Sequence, residues 1–207
     1  MVGSLRSRVV VSLLSVSALA CGPPVTPNKA AEQIHPTYDK SSGQLTRLEA
    51  DSNGDGKIDT WGYMAGTRVV RVEVDENGDG KVDRWEYHTE PGRDGRDGRD
   101  GGPGRFESPD KTLERVERAT RFDGIVSRWE YFNNGSLTRV EEDTDGDGKL
   151  DKWETYSGGT LSVMALDTGH HGKPDRRLIY RPDGSLDRIE TDPAGTGDFQ
   201  PLSPQPK

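Results

Sequence analysis

A short acidic loop recurs along the chain, and it limits the possible folds more than any other feature of the sequence. Residues 143–154 read DTDGDGKLDKWE, which places aspartates at positions 1, 3, 5 and 9 of the loop and Gly148 at position 6. Carboxylates at alternate residues of a tight turn can converge on one point, and the glycine permits the sharp bend. Such a set of oxygens suits a hard cation such as Ca²⁺, which takes about six to eight oxygen ligands.

Two further stretches repeat this pattern. DENGDGKVDRWE at 75–86 matches it throughout, including the glutamate at position 12, and DSNGDGKIDTWG at 51–62 departs from it only at Gly62. The spacing resembles that of the EF-hand calcium loop. Plain Asn/Asp/Gly turns are the alternative interpretation. We favour calcium, because a turn by itself does not need so many acids packed together.

The predicted calcium ligands are the residues at loop positions 1, 3, 5, 7, 9 and 12, with position 7 contributing its backbone carbonyl. In chain order they are Asp51, Asn53, Asp55, Lys57 and Asp59; Asp75, Asn77, Asp79, Lys81, Asp83 and Glu86; and Asp143, Asp145, Asp147, Lys149, Asp151 and Glu154.

The loops are part of a 24-residue repeat that occupies most of the chain. The intervals from 51 to 75, 119 to 143 and 143 to 167 have this length, whereas the interval from 75 to 119 is longer and carries an insertion. A tryptophan stands at the same repeat position, just beyond the loop, in four of the copies. The starts are Asp51, Asp75, Asp143 and Asp167, with a worn copy at Ala119 and a faded copy at Asp192.

Between the loops, charged and apolar residues alternate with a period of two, as in Arg71-Val72-Glu73, which favours β-strands. Asn134-Gly135 and Asp183-Gly184 are typical of tight hairpin turns. We therefore predict an all-β fold, an antiparallel meander of about five or six 24-residue β-hairpins. The repeat domain is expected to span residues 37–199.

Helices fit this period poorly. An EF-hand needs a helix on each side of its loop, whereas the loop here takes up half of the repeat period and the other half contains a glycine turn. In a strand, position 12 lies about 10 Å beyond position 9. Glu86 and Glu154 would then be cross-strand partners of basic residues instead of ligands.

Residues 1–21 resemble a bacterial lipoprotein signal. Basic residues precede an apolar run over 9–19, and Ala18-Leu19-Ala20 precedes Cys21, the only cysteine of the chain. The resemblance implies that residues 1–20 are removed and that Cys21 carries a lipid. A secretory signal cleaved near Ala20 is the alternative.

Three segments are expected to lie outside the folded repeat. Residues 21–36 are rich in proline and predict a flexible tether, and residues 200–207 predict a disordered tail. Residues 89–110 contain the insertion, with a glycine at every third position from 92 to 101. A collagen-like assembly needs many more such triplets, so we predict a solvated loop insertion.

The composition restricts both the core and the function. Leucine, isoleucine, valine and phenylalanine make up fewer than one residue in five, and the net charge is -8. A thick two-layer core is therefore excluded, and strong acidity argues against nucleic acid as a partner. The few histidines are scattered, and no motif for a nucleophile, a phosphate loop or a zinc site is present.

The GDGK-x-D-x-W-E units resemble the calcium-loop β-repeats of Gram-negative envelope lipoproteins, with a meander similar to MORN repeats. The resemblance implies an exported protein anchored in the outer membrane through lipid on Cys21. We expect a monomeric, non-enzymatic, calcium-binding module that is structural or binds an envelope protein or glycan. An accessory or catalytic subunit of an envelope hydrolase, with a site on the sheet face, is the alternative.

Overall fold

A computed structural model describes residues 34–89 and 111–202. These residues form one antiparallel sheet of thirteen strands, and each strand pairs with the next strand in sequence. The all-β meander predicted from the repeat is therefore confirmed. The described residues contain no helix, and so none with the length and hydropathy needed to cross a bilayer.

The strands are short and regularly spaced. Their bounds are β1 Ile34–Tyr38, β2 Leu45–Ala50, β3 Thr60–Ala65, β4 Arg68–Val74, β5 Arg84–His88, β6 Leu113–Arg118, β7 Arg128–Asn133, β8 Ser136–Glu142, β9 Lys152–Ser157, β10 Thr160–Leu166, β11 Arg176–Tyr180, β12 Leu186–Thr191 and β13 Gln200–Pro201.

The connections alternate between the two ends of the sheet. Every acidic loop joins an even-numbered strand to the following odd-numbered strand, so all the acidic loops lie along one end. Tight turns close the other end, including the predicted turns at Asn134-Gly135 and Asp183-Gly184. Residues 90–110, which hold nearly all of the predicted insertion, lie outside the described residues. On either side of this segment, Thr89 and Thr112 are joined by a backbone hydrogen bond of 2.8 Å from the Thr89 N–H to the Thr112 carbonyl.

Both outer boundaries of the repeat domain differ from the prediction. The predicted tether 21–36 overlaps β1, whose Ile34 and Pro36 pair with Ala50 and Leu48. The predicted tail 200–207 overlaps β13, where Pro201 pairs with Glu190 of β12. Proline content therefore does not mark these two boundaries. An edge strand tolerates proline, since one of its sides needs no backbone hydrogen bond.

One face of the sheet carries two ladders of alternating side chains. In the first ladder tryptophans alternate with glutamates, and in the second tyrosines alternate with arginines. A representative set is Trp129 opposite Glu117 and Glu141, and Tyr131 opposite Arg115 and Arg139. Each tryptophan is half-buried between its neighbours.

Ring and charge contacts connect these two ladders. The Arg139 guanidinium lies 4.1 Å from the centre of the Tyr131 ring, and the Tyr131 hydroxyl donates a 3.1 Å hydrogen bond to Glu141. Arg139 and Glu141 also form an ion pair at 3.2 Å. Equivalent arginine–tyrosine contacts occur at Tyr63 and Tyr87. The ladders therefore stabilise neighbouring strands without a second layer.

The small apolar core of the sheet lies on the opposite face. Val116 and Val140 are 4 % and 0 % exposed. Both stand between glutamates of neighbouring strands, as Val140 does between Glu130 and Glu154. Within the described residues, each strand contacts only its neighbours in sequence. The sheet is thus open and single-layered, and its buried apolar area is small.

The valines of this sheet provide a test of the thin core. Val140→Ala is expected to lower the free energy of unfolding by about 2 kcal/mol, since two fully buried carbons are lost and a cavity remains. Val69, which is 39 % exposed in β4, is the matched control, and Val69→Ala should cost less than about 1 kcal/mol. Urea unfolding followed by circular dichroism measures both changes. Equal losses for the two variants would contradict this description of the core.

Candidate metal-binding loops

Positions 1 and 9 of successive loops form a continuous row along the loop end of the sheet, which we call the aspartate row. The N–H of each position 1 donates to the carbonyl of position 9 in the preceding loop, at 2.7–2.9 Å. These bonds stack the six loops in register. The row consists of Asp51, Asp59, Asp75, Asp83, Ala119, Ser127, Asp143, Asp151, Asp167, Asp175 and Asp192.

Most of these carboxylates are buried, and backbone N–H groups of the loop stabilise their negative charge. In the first loop, Asp51 accepts hydrogen bonds from the N–H groups of Gly54 and Gly56 at 2.7 and 2.8 Å. Asp75 and Asp143 make the same two contacts with their own glycines. Converging N–H groups of this kind form an anion-binding nest. Position 1 is therefore the centre around which each loop folds.

Two glycines in each of the three intact loops adopt the backbone conformation of this geometry. The glycines at positions 4 and 6 of the three intact loops have φ between 76° and 89°, a region that side chains disfavour. The loop pattern predicted this role only for the glycine at position 6. The Asn-Gly or Asp-Gly pair at positions 3 and 4 is a known turn signal and could have identified the second glycine.

The side chains at positions 3 and 5 form local turns on the exposed side of the loop. Asn53 and Asp55 each accept a hydrogen bond from the N–H two residues later, at 2.9 and 2.8 Å. The second of these N–H groups belongs to Lys57, and Lys81 and Lys149 donate in the same way to position 5 of their own loops. Each carboxylate and amide oxygen retains lone pairs for a further ligand.

Loop 143–151 brings three predicted ligands together. One carboxylate oxygen each of Asp143, Asp145 and Asp151 lies within 4.8 Å of the other two. Asp147 instead lies with Asp145 and His170 of the next loop in a second group of the same size. The four predicted aspartate ligands therefore do not meet at a single point.

A cleft of about 160 Å³ separates the first two loops. It is lined by predicted ligands from both loops, among them Asn53, Asp55 and Asp59 on one side and Asp75 and Asp79 on the other. In these two loops asparagine occupies position 3, so an amide oxygen replaces one carboxylate. The cleft has the oxygen-rich lining that a hard cation needs.

Asp59 at position 9 is satisfied by its own loop. Its carboxylate accepts hydrogen bonds from the Ser52 N–H, the Ser52 hydroxyl and the Asn53 N–H at 2.9–3.3 Å. Burial acts to raise the pKa of Asp59, but hydrogen bonds from Thr60 and Ser52 outweigh burial and lower it. At neutral pH the ionised carboxylate therefore stabilises the loop.

Asp83, the equivalent residue of the second loop, lacks the set of hydrogen bonds that offsets burial at Asp59. It is 1 % exposed, its Oδ2 accepts from the Glu76 N–H at 3.1 Å, and its buried Oδ1 has no hydrogen-bond partner among the described residues. Burial, followed by the charges of Asp79 and Asp75, raises the pKa of Asp83 despite its backbone hydrogen bonds. A buried anionic oxygen without a partner is costly, and a cation bound beside it would offset that cost.

The glutamates at position 12 lie beyond the loops, in strands. Glu86 of β5 forms an ion pair with Arg84. Glu154 of β9 is 6 % exposed, lies 2.8 Å from the Lys152 ammonium and accepts a hydrogen bond from the Tyr156 hydroxyl at 2.7 Å. These partners lie two residues away on the same strand as each glutamate. Opposite Glu86 on the neighbouring strands stand Val72 and Val116, so the predicted cross-strand pairing with basic residues is replaced by same-strand pairing.

The worn loop 119–127 has lost both buried acids of the row. Ala119 and Ser127 replace them, and Arg121 stands at position 3. The Arg121 guanidinium reaches the next loop, where it donates to the carbonyl of Asp143 at 3.1 Å and lies 3.7 Å from the Asp143 carboxylate. This loop therefore supplies a positive charge to its neighbour, which the sequence pattern alone did not indicate.

Comparison with known proteins adds no assignment: no protein-family model and no curated protein matches the chain. Cys21, the predicted lipidation site, lies outside the described residues.

The contrast between Asp59 and Asp83 gives a test in metal-free buffer at pH 7. The raised pKa of Asp83 means that its ionised form opposes folding once the pH exceeds that pKa, so Asp83→Asn should leave stability unchanged or raise it. The lowered pKa of Asp59 means that its ionised form supports folding above the unfolded pKa and that this support is lost in acid. Asp59→Asn should therefore cost about 1–3 kcal/mol.

Thermal melts in EDTA, followed by circular dichroism, measure the stability of both variants. A clear loss of stability for Asp83→Asn without metal would show that its carboxylate is already satisfied in the metal-free loop.

Proposed function

We propose that this protein is a non-enzymatic, calcium-binding module of the cell envelope. The observation that carries the proposal is the aspartate row, which includes a buried oxygen of Asp83 that has no hydrogen-bond partner in the described part of the chain. Oxygen ligands from carboxylates and amides, presented by a glycine-rich turn, are the donor set that Ca²⁺ prefers. The repeat supplies three such loops along one end of the sheet.

Calcium suits the energetics of this sheet. The apolar core consists of a few valines, while carboxylates crowd each intact loop, so the metal-free protein combines weak packing with repulsion between like charges. Extracellular calcium modules bind with dissociation constants of about 10⁻⁴–10⁻³ M. At tenfold excess over such a constant each site adds about 1.4 kcal/mol, and three sites add about 4 kcal/mol. That sum is comparable with the whole stability margin of a small domain.

Calcium-dependent melting tests the proposal. Millimolar CaCl₂ should raise the melting temperature well above its value in EDTA, and titration calorimetry should show binding heat. Asp147→Ala should lose part of the calcium-dependent gain and little of the stability in EDTA, because this residue is exposed and contributes mainly through the metal. Identical melts with and without calcium, together with no binding heat, would show that the loops are acidic turns that do not bind calcium.

Glu154→Gln is the matched control for a ligand role at position 12. Burial acts to raise the pKa of Glu154, but Lys152 and Tyr156 lower it, so the ionised side chain stabilises the sheet at neutral pH. The variant should therefore lose similar stability with and without calcium. A loss seen only with calcium would place Glu154 among the ligands, as in a helical EF-hand.

The location is proposed from the sequence over residues 1–21, where the apolar run and the lone Cys21 follow the lipoprotein pattern. Lipid on Cys21 would hold the acidic sheet at the outer membrane. Cys21→Ser should move the protein from the membrane pellet to the soluble fraction when cells expressing the full chain are fractionated. Pelleting that persists in the variant and is released only by detergent would exclude this anchor.

The ladder face supports a binding role for the module. Trp61, Trp85, Trp129 and Trp153 stand in one row on alternate strands, at a spacing of about 10 Å. Half-buried indole rings can stack on apolar faces, and the flanking carboxylates can accept hydrogen bonds from hydroxyl or amide groups. An envelope glycan or an extended peptide fits this chemistry.

A further inference from the structure

Loop 167–175 differs from the intact loops in the chemistry of its donors. Gly169 stands at position 3, where the intact loops have Asn or Asp, and His171 stands at position 5 in place of an aspartate. Asp167 and Asp175 are retained at positions 1 and 9. The loop has therefore exchanged two side-chain oxygen donors for one imidazole.

The three remaining donors converge. One carboxylate oxygen each of Asp167 and Asp175 and a ring nitrogen of His171 all lie within 4.8 Å of one another. Ligands about 2.0–2.2 Å from a tetrahedral metal ion lie roughly 3.5 Å apart. A contraction on the order of 1 Å would thus bring all three to bonding distance.

Two of these donors are already held in place. Asp167 is 4 % exposed, and its carboxylate accepts hydrogen bonds from the N–H groups of His171, Gly172 and Lys173 at 2.6–3.2 Å. Asp175 accepts hydrogen bonds from the Thr168 hydroxyl at 2.8 and 2.9 Å. Outer contacts of this kind orient carboxylate ligands before a metal arrives.

Gly169 provides the room that the imidazole occupies. A Cβ atom at this residue would lie 2.3 Å from Cε1 and 2.4 Å from Nδ1 of His171, closer than any real contact. The φ of Gly169 is not in the left-handed region, so the backbone does not require glycine here. The imidazole at position 5 therefore fits only because position 3 has no side chain, so these two differences from the intact loops depend on each other.

The adjacent His170 faces the neighbouring loop instead. Its Nδ1 lies 3.1 Å from a carboxylate oxygen of Asp145, in a group with Asp147 whose members are all exposed. This arrangement makes His170 a matched control, because it is an imidazole of the same loop that contacts other carboxylates.

We propose that loop 167–175 binds a transition-metal dication of the Zn²⁺ class through Asp167, His171 and Asp175, with water in the remaining position. Imidazole with carboxylates suits Zn²⁺ and its neighbours, whereas Ca²⁺ favours oxygen donors alone. The site is separate from the three proposed calcium loops and does not depend on their binding calcium.

Zinc titration of the full chain in millimolar CaCl₂ tests this site, since calcium then occupies or competes for the oxygen-only loops. We expect one Zn²⁺ per chain by calorimetry, and tetrahedral absorption bands when Co²⁺ replaces it. His171→Ala should weaken binding by about tenfold or more. Gly169→Ala should weaken it too, because the new methyl group displaces the ring, while His170→Ala should bind as the parent chain does. Circular dichroism establishes that each variant is folded.

Three results would overturn the proposal: no zinc binding by the parent chain, unchanged binding by His171→Ala, or loss of binding in His170→Ala. The last result would place the ion between loops 143–151 and 167–175. Calcium titration of the same His171→Ala protein distinguishes the two proposals, because this variant should retain its calcium response.

Discussion

The sheet depends on aspartates that are buried at its loop end and held by backbone N–H groups. Each position-1 carboxylate gathers the N–H groups of its own loop, and each position-1 N–H reaches the carbonyl of the preceding loop. The same residues therefore fold the turn and align neighbouring turns. A neutral substitute can continue the backbone bonds, as Ala119 does at 2.7 Å, but it provides no charge for the nest or for a cation.

Stability in this thin sheet comes from many modest contacts. Arginine, tyrosine and glutamate connect neighbouring strands on one face, and valines alternate with glutamates on the other. Exposed ion pairs contribute little individually, so the ladders act through number and repetition. A bound cation that replaces the repulsion between crowded carboxylates with attraction would have a large effect on the stability of such a structure. The thin architecture is in this way connected with the proposed calcium dependence.

The repeat was sufficient to predict the hairpins, because strand alternation, turn signals and the repeat period are local properties of the sequence. The limits of the domain were not predictable from proline content, since Ile34–Tyr38 and Gln200–Pro201 are edge strands in which proline is tolerated. Contacts between loops were also missed. Arg121 reaches Asp143 and His170 reaches Asp145 only because the register stacks loops that are one repeat apart in sequence. The steric dependence of His171 on Gly169 could not be predicted either, because the sequence does not show where the imidazole ring lies.

A sheet in which each described strand contacts only its sequence neighbours behaves as a one-dimensional array. Most of its contacts join residues close in sequence, which corresponds to low contact order and favours rapid folding that can begin at any hairpin. Units of this kind can also be duplicated or deleted during evolution without disturbing the rest of the sheet, and individual copies can diverge. The loops at 119 and 167 are examples: one has lost its two buried acids and carries an arginine that contacts the neighbouring loop, and the other has acquired a histidine.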